Sequence, residues 1–207
     1  LACRVTVLGD CAVATAAEQG GGQIVTHGSC PLSMSGKELC PFGGGYGVAI
    51  DIGTTTLAAR LYDREGKLLS ETSRLNPQSA WGADVISRME AAMAGHAAKI
   101  AGVTRRALDS MISELATAAQ VATAAIQALV ITGNTVMLHL LTETGVEPLT
   151  HAPFAAERLF GEALTAKELG LTALPSDAPV YLPPCIAAFI GADTVTATLA
   201  SDLREIP

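Results

Sequence analysis

The residues with the most chemical content lie together at Asp51-Ile52-Gly53-Thr54-Thr55-Thr56. A carboxylate ends an apolar run, a glycine allows a close approach of backbone to a ligand, and three hydroxyl residues follow. A tight turn of this kind can aim backbone N–H groups and hydroxyls at phosphate oxygens. Asp51 can hold Mg²⁺ through water, because Mg²⁺ favours a carboxylate together with phosphate and keeps several of its own waters. The segment lacks the Gly-Lys-Ser/Thr of a Walker loop. It lacks a dinucleotide fingerprint as well, since a strand rather than a helix follows the glycine. An ordinary hairpin rich in β-branched threonines is the alternative reading.

Other candidates are less specific. Asn134 follows a continuous apolar run, Ile126–Thr132, at the strand end where open α/β sheets bind ligands. Its amide can contact phosphate or cap the helix that follows, and the two roles are compatible. Asp193 lies within the expected final helix, after Gly191, facing either the cleft or solvent. Asp84 and Arg88, four residues apart on a helix, are expected to form a surface ion pair. His139 on an apolar helix is expected to be a hydrogen-bonded core residue, and Cys185 a buried small hydrophobe. No Ser/His/Asp or Cys/His catalytic set emerges from the spacings.

Elements must position these groups, and their pattern is readable. Tyr46–Ile52 reads as a buried strand, Thr56–Tyr62 as a second and Leu68–Leu75 as a third, joined by Gly53-Thr54-Thr55 and by a polar turn at Asp63–Lys67. Asn76-Pro77 stops this meander. A helix over 83–94 ends at Gly95-His96, and a longer one over 104–121 has Thr104 as its expected N-cap. A doubly buried strand at Ile126–Thr132 precedes a short helix through Leu141. Residues 146–164 read as mostly loop, 165–169 as a helical turn, Val180–Leu182 as a last strand and Ile186–Leu203 as the final helix. The expected architecture is a mixed five-stranded sheet in the order β-β-β-α-β-α-β-α, with right-handed crossovers, in three layers. That is the layout of a ribonuclease-H-like α/β domain.

Composition bounds the function. The 13 Lys and Arg stand against 20 Asp and Glu, a net charge of −7, with no basic cluster. Nucleic acid and anionic membranes are therefore not expected as partners. The mean hydropathy of +0.38 comes largely from alanine, and no window long enough to span a bilayer is free of polar groups. No signal segment opens the chain. A protein of the cytoplasm is expected, with the five cysteines mostly free thiols. Residues 14–45 carry glycine clusters and no sustained period, and read as a linker or arm. The chain begins at Leu1 and ends at Pro207, and is expected to be a piece of a longer protein.

Several segments together carry a resemblance. Val48–Thr56 looks like the first phosphate motif of the superfamily of acetate and sugar kinases, heat-shock chaperone ATPases and actin. Leu75-Asn76-Pro77-Gln78, Gly82–Arg88, Gly133–Leu141, Ala152-Pro153-Phe154 and Ala188–Asp193 narrow it. With them the chain resembles the reductive activators of corrinoid proteins, in which a [2Fe–2S] ferredoxin-like domain precedes an actin-like ATPase domain. The resemblance implies that residues 1–13 are the C-terminal stub of the ferredoxin-like domain, 14–45 a glycine-rich linker, and 46–207 the first lobe of the ATPase. It implies ATP and Mg²⁺ as cofactors, with Asp51 organising the metal. Gly53, Thr54, Thr55, Thr56, Asn134 and Asp193 would lie around the phosphates, and Cys3 would be the last ligand of a cluster not complete in this chain. Chaperone relatives carry a glutamate before the proline at the end of the last strand. Pro183 holds that place here, so a carboxylate assisting hydrolysis there is not expected. A corrinoid protein of a methyltransferase system is the implied partner, and a homodimer is compatible with the resemblance. Two other functions fit the same sequence: a small-molecule kinase of the sugar or acetate kinase type, and a lobe used only for docking or dimerisation.

Overall fold

The structure of the protein, a computed structural model, describes residues 45–201. The assignments for Cys3, for residues 1–13, for the 14–45 segment up to 44, and for 202–207 lie outside the described residues.

Strand β1, Tyr46–Ile52, alternates: Val48, Ile50 and Ile52 are buried on one face, while Ala49 and Asp51 occupy the other. Strand β2, Thr56–Tyr62, returns antiparallel with Asp51 opposite Ala58, and strand β3, Leu68–Leu75, continues the meander. Their connection is built as its composition suggests. Asp63 Oδ1 accepts N–H groups of Glu65 and Lys67, and Gly66 takes a positive φ. Strand β4, Ile126–Gly133, lies parallel to β1 on its other side, with Asp51 opposite Thr132 and Ile52 opposite Gly133. The sheet order is β3-β2-β1-β4-β6-β5, where β5 is Glu162–Thr165 and β6 is Pro179–Leu182. β6 runs parallel to β4, and β5 antiparallel to β6. Three antiparallel strands followed by parallel ones give the ribonuclease-H-like layout.

Helices cover the sheet unequally. α1 (Val85–Ala91), α2 (Ala97–Ala118) and α3 (Thr135–Thr142) pack on the face that carries Val48, Ile50, Leu57 and Leu61. Ile100, Leu108, Met111, Ile112 and Leu115 of α2 are completely or almost completely buried, each contributing roughly 1.5–3 kcal/mol of transfer free energy. α3 is buried from Thr135 to Leu141. The short α4, Ala166–Leu169, opens with a capping box between Thr165 and Glu168. α5, Ala192–Ala200, packs on β4 from the opposite face, where the Thr132 and Thr196 hydroxyls meet at 3.1 Å.

The structure corrects several expectations. The sheet has six strands, not five, because Glu162–Thr165 forms β5. Four residues after a bend at Phe160 and Gly161, both with positive φ, are too few to display a period of two. The second helix begins at Ala97, not Thr104. Thr104 is buried inside it and donates its hydroxyl to Ile100 O. A π-helical turn at Ala92–His96, with Gly95 at φ 93°, joins it to α1, so the glycine marks a kink in an otherwise continuous helical stretch. The final helix starts at Ala192; residues Ile186–Ile190 instead close on themselves through Ile186 N–H to Ile190 O. Arg88 is not on the surface. It is 1% exposed, and Asp84 caps α1 by accepting the Ser87 N–H. His139 and Cys185 are buried as expected.

Candidate functional site

Parallel strands β1 and β4 end side by side, so the residues that follow them meet. After β1 comes the turn Gly53-Thr54-Thr55, closed by the Gly53 N–H donating to Thr56 O at 2.9 Å. After β4 comes Asn134, whose Oδ1 caps α3 by accepting the Met137 N–H at 3.0 Å. The other end of the same amide, Nδ2, donates to Thr54 Oγ1 at 3.3 Å. Of the two readings of Asn134 the helix cap is realised, and the other end of the same amide reaches the hydroxyl turn. The N-terminus of α3 points its partial positive charge at the same place.

Asp193 joins the site from α5. It occupies the first turn of that helix and lines, with Asp51 and Thr132, a groove of about 700 Å³ between the sheet and α5. The size is in the range that holds small ligands. The remaining walls are mainly alanine, with Arg60 and Tyr62 at the other end. Gly191 sets how close α5 comes. A Cβ there would overlap Asn134 Cα and stand 2.7 Å from Thr135 N and 2.8 Å from Asp193 Oδ1, so only glycine permits this approach.

Electrostatics of the site favour a cation. The Asp51 carboxyl is held above the ordinary carboxylate range, first by desolvation among its neighbours and then by the negative charge of Asp193. Among the described residues neither carboxylate is paired with a lysine or arginine. Two acidic oxygen donors beside a turn of hydroxyls and amides are the hard-oxygen chemistry that suits Mg²⁺ with a phosphate. No cluster of three or more His, Cys, Asp or Glu gathers as a metal site among the described residues, and Cys185 is the one described cysteine.

The sequence-expected residues Asp51, Gly53, Thr54, Asn134 and Asp193 therefore come together. Thr55 is exposed at the tip of the turn. Thr56 is already strand: its carbonyl closes the turn, and it pairs with Leu75 of β3. Thr132 and Thr196 line the same groove. Their signal in the sequence was weak, because a threonine in a strand or helix has many ordinary uses. Asn76, Gln78 and Arg88 lie just behind the turn and are buried.

Residues 46–206 match the family model described as the RACo middle region. The corrinoid activation enzyme RamQ of Eubacterium limosum is 35% identical over 157 residues, 74% of this chain and 26% of that protein. A solved structure, the reductive activator for corrinoid, iron-sulfur protein, matches with a TM-score of 0.75 at 30% identity, over 80% of this chain and 27% of that one. The chain spans about a quarter of the length of these relatives.

Proposed function

As the chain belongs to the RACo middle region family, we propose that it is the first lobe of an ATP-dependent activator that returns a partner corrinoid protein to its reduced state. The names of the two relatives support the corrinoid partner. The convergence of Asp51, the Gly53–Thr55 turn, Asn134 and Asp193 at the ends of β1, β4 and the start of α5 supports the nucleotide. That convergence is the observation that carries the reading.

In this account Gly53, Thr54, Thr55 and Thr56 hold phosphate through backbone N–H groups and hydroxyls. Asn134 orients the Thr54 hydroxyl, and its cap keeps the α3 N-terminus directed at the same anion. Asp51 and Asp193 hold Mg²⁺, whose charge relieves the unfavourable proximity of the two carboxylates. Bound ATP supplies the free energy for an uphill one-electron reduction of the substrate, the partner's cob(II)amide, to the Co(I) state. A [2Fe–2S] cluster, to which Cys3 would be this chain's ligand, would supply that electron and be oxidised by one electron. Closure of a second lobe onto the Gly53–Thr55 turn is the two-state element that couples nucleotide to partner docking.

The test is ATP hydrolysis by the full-length protein with its corrinoid protein present. Asp51→Ala is expected to lower turnover by about a hundredfold or more, the several kcal/mol that a correctly held metal contributes. Turnover equal to that of the unaltered protein would contradict the role of Asp51.

A further inference from the structure

The turn at Gly53–Thr55 needs only the Gly53 N–H to Thr56 O bond to close. It nevertheless has a second set of restraints, made entirely by one buried residue. Asn76, 0% exposed, directs its Nδ2 to Gly53 O at 2.8 Å, and its backbone N–H to Thr55 O at 2.8 Å. Its Oδ1 accepts the Gln78 N–H at 2.9 Å, which caps the 3₁₀ turn Pro77–Trp81. The hairpin is therefore tied to the core by two of its carbonyls, those of Gly53 and Thr55.

The direction of those bonds has a consequence for the opposite face. In a planar trans peptide the carbonyl and the following N–H point opposite ways. With the Gly53 carbonyl held by the buried Asn76, the Thr54 N–H must point away from Asn76, into the space on the other side of the turn. The same logic turns the Thr56 N–H away from Asn76. An unrestrained glycine peptide can rotate and present its carbonyl to that space instead, which would repel a phosphate.

The support behind Asn76 is equally specific. Gln78 Nε2 donates to Thr104 Oγ1 at 2.8 Å, and Gln78 Oε1 accepts from the Arg88 guanidinium at 3.3 Å. Arg88 Nε reaches Gly82 O at 2.9 Å. The Asn76 amide and the Arg88 guanidinium also converge on Met137 Sδ, one turn into the helix that Asn134 caps. Gln78, Arg88 and Thr104 are all buried. Polar groups buried this way hold a single arrangement because every alternative leaves one of them unsatisfied.

We propose that Asn76 is a positioning residue of the phosphate turn, fixing the Gly53–Thr54 peptide so that its N–H faces the nucleotide, with Gln78 and Arg88 locking Asn76 in place. The inference rests on the nucleotide reading given above. It is tested on the full-length protein by measuring the MgATP dissociation constant by calorimetry and the unfolding midpoint on the same samples. Asn76→Asp keeps the size and the acceptor for Gln78 N–H, but places an oxygen against Gly53 O. Asn76→Ser keeps a capping oxygen too short to reach Gly53, and decides the matter if the aspartate variant does not fold. Leu115→Ala opens a cavity at the other end of β3, where Ser70 donates to Leu115 O, and serves as the control for stability alone. Both Asn76 variants are expected to weaken MgATP by about tenfold or more, the loss of an aimed donor, while Leu115→Ala lowers the unfolding midpoint and keeps the dissociation constant. Unaltered MgATP binding by either folded Asn76 variant would overturn the proposal. So would a loss in Leu115→Ala that follows its unfolding midpoint as it does in the others, since Asn76 would then be structural only. An unaltered protein that does not bind MgATP would overturn the nucleotide reading itself, and this inference with it.

Discussion

Asp51 keeps a carboxylate where its surroundings oppose the charge, with Asp193 beside it and one side open to solvent. Its folded pKa is raised, so the unfolded chain loses this proton first as pH rises past the ordinary value of 3.8, and stability falls from there. Without nucleotide, Asp51 thus costs stability at neutral pH. Asp51→Asn is expected to raise the melting temperature of the nucleotide-free protein at neutral pH, to lose that advantage below about pH 3.8, and to abolish Mg²⁺-dependent nucleotide binding. Calorimetric melts across pH check the first two. At this scale the sequence was informative wherever a residue type has few uses in its place: a carboxylate, then glycine, then hydroxyls. It was not informative for Arg88. The spacing from Asp84 reads equally as a surface pair, and only the packing of α1 on α3 and on the Pro77–Trp81 turn shows the guanidinium turned inward. Asn76 was visible as a strand stop before proline; what its amide reaches depends on a register no local pattern reports.

Among the elements, α3 and α5 decide the geometry of the site, and each offers a test. His139, buried in α3, points Nδ1 at Thr135 O at 2.8 Å, and its Nε2 accepts the Arg158 N–H at 3.4 Å, so the neutral ring is satisfied on both sides. Burial pushes its pKa below 6.5, outweighing the opposing pull of the Thr135 carbonyl. The unfolded chain therefore takes up this proton first, and stability is lost as pH falls below about 6.5. Melting temperatures between about pH 7.5 and 5.5 should decline, and His139→Gln should flatten that decline. For α5, Gly191→Ala must push the helix from Asn134 and carry Asp193 with it. A loss of about 1–3 kcal/mol in urea unfolding and weaker MgATP binding are expected. The strands β1 to β4 were legible because each holds seven or eight residues of strong pattern. β5 has four, and alanines and a glycine at 97–102 gave the start of α2 no distinct apolar face.

On the scale of the whole molecule, among the described residues the sheet is covered by α1 to α3 on one face and only by α5 on the other, and the groove with Asp51 and Asp193 opens on that second face. Among the described residues no helix is long and apolar enough to cross a membrane, and the positive hydropathy is accounted for by the buried sheet and alanine-rich helices. The ribonuclease-H-like order was legible from the meander followed by helix crossovers, whereas the iron–sulfur assignment rests on Cys3, outside the described residues. The chain matches 26% and 27% of the length of its two relatives. The most direct measurement is therefore made on the full-length protein, anaerobically, with a low-potential reductant and the cob(II)amide form of its corrinoid protein. Conversion to the Co(I) form is followed by absorbance with and without MgATP. The account predicts conversion that requires MgATP and is lost in Asp51→Ala; conversion at the same rate without MgATP, or undiminished in Asp51→Ala, would contradict it.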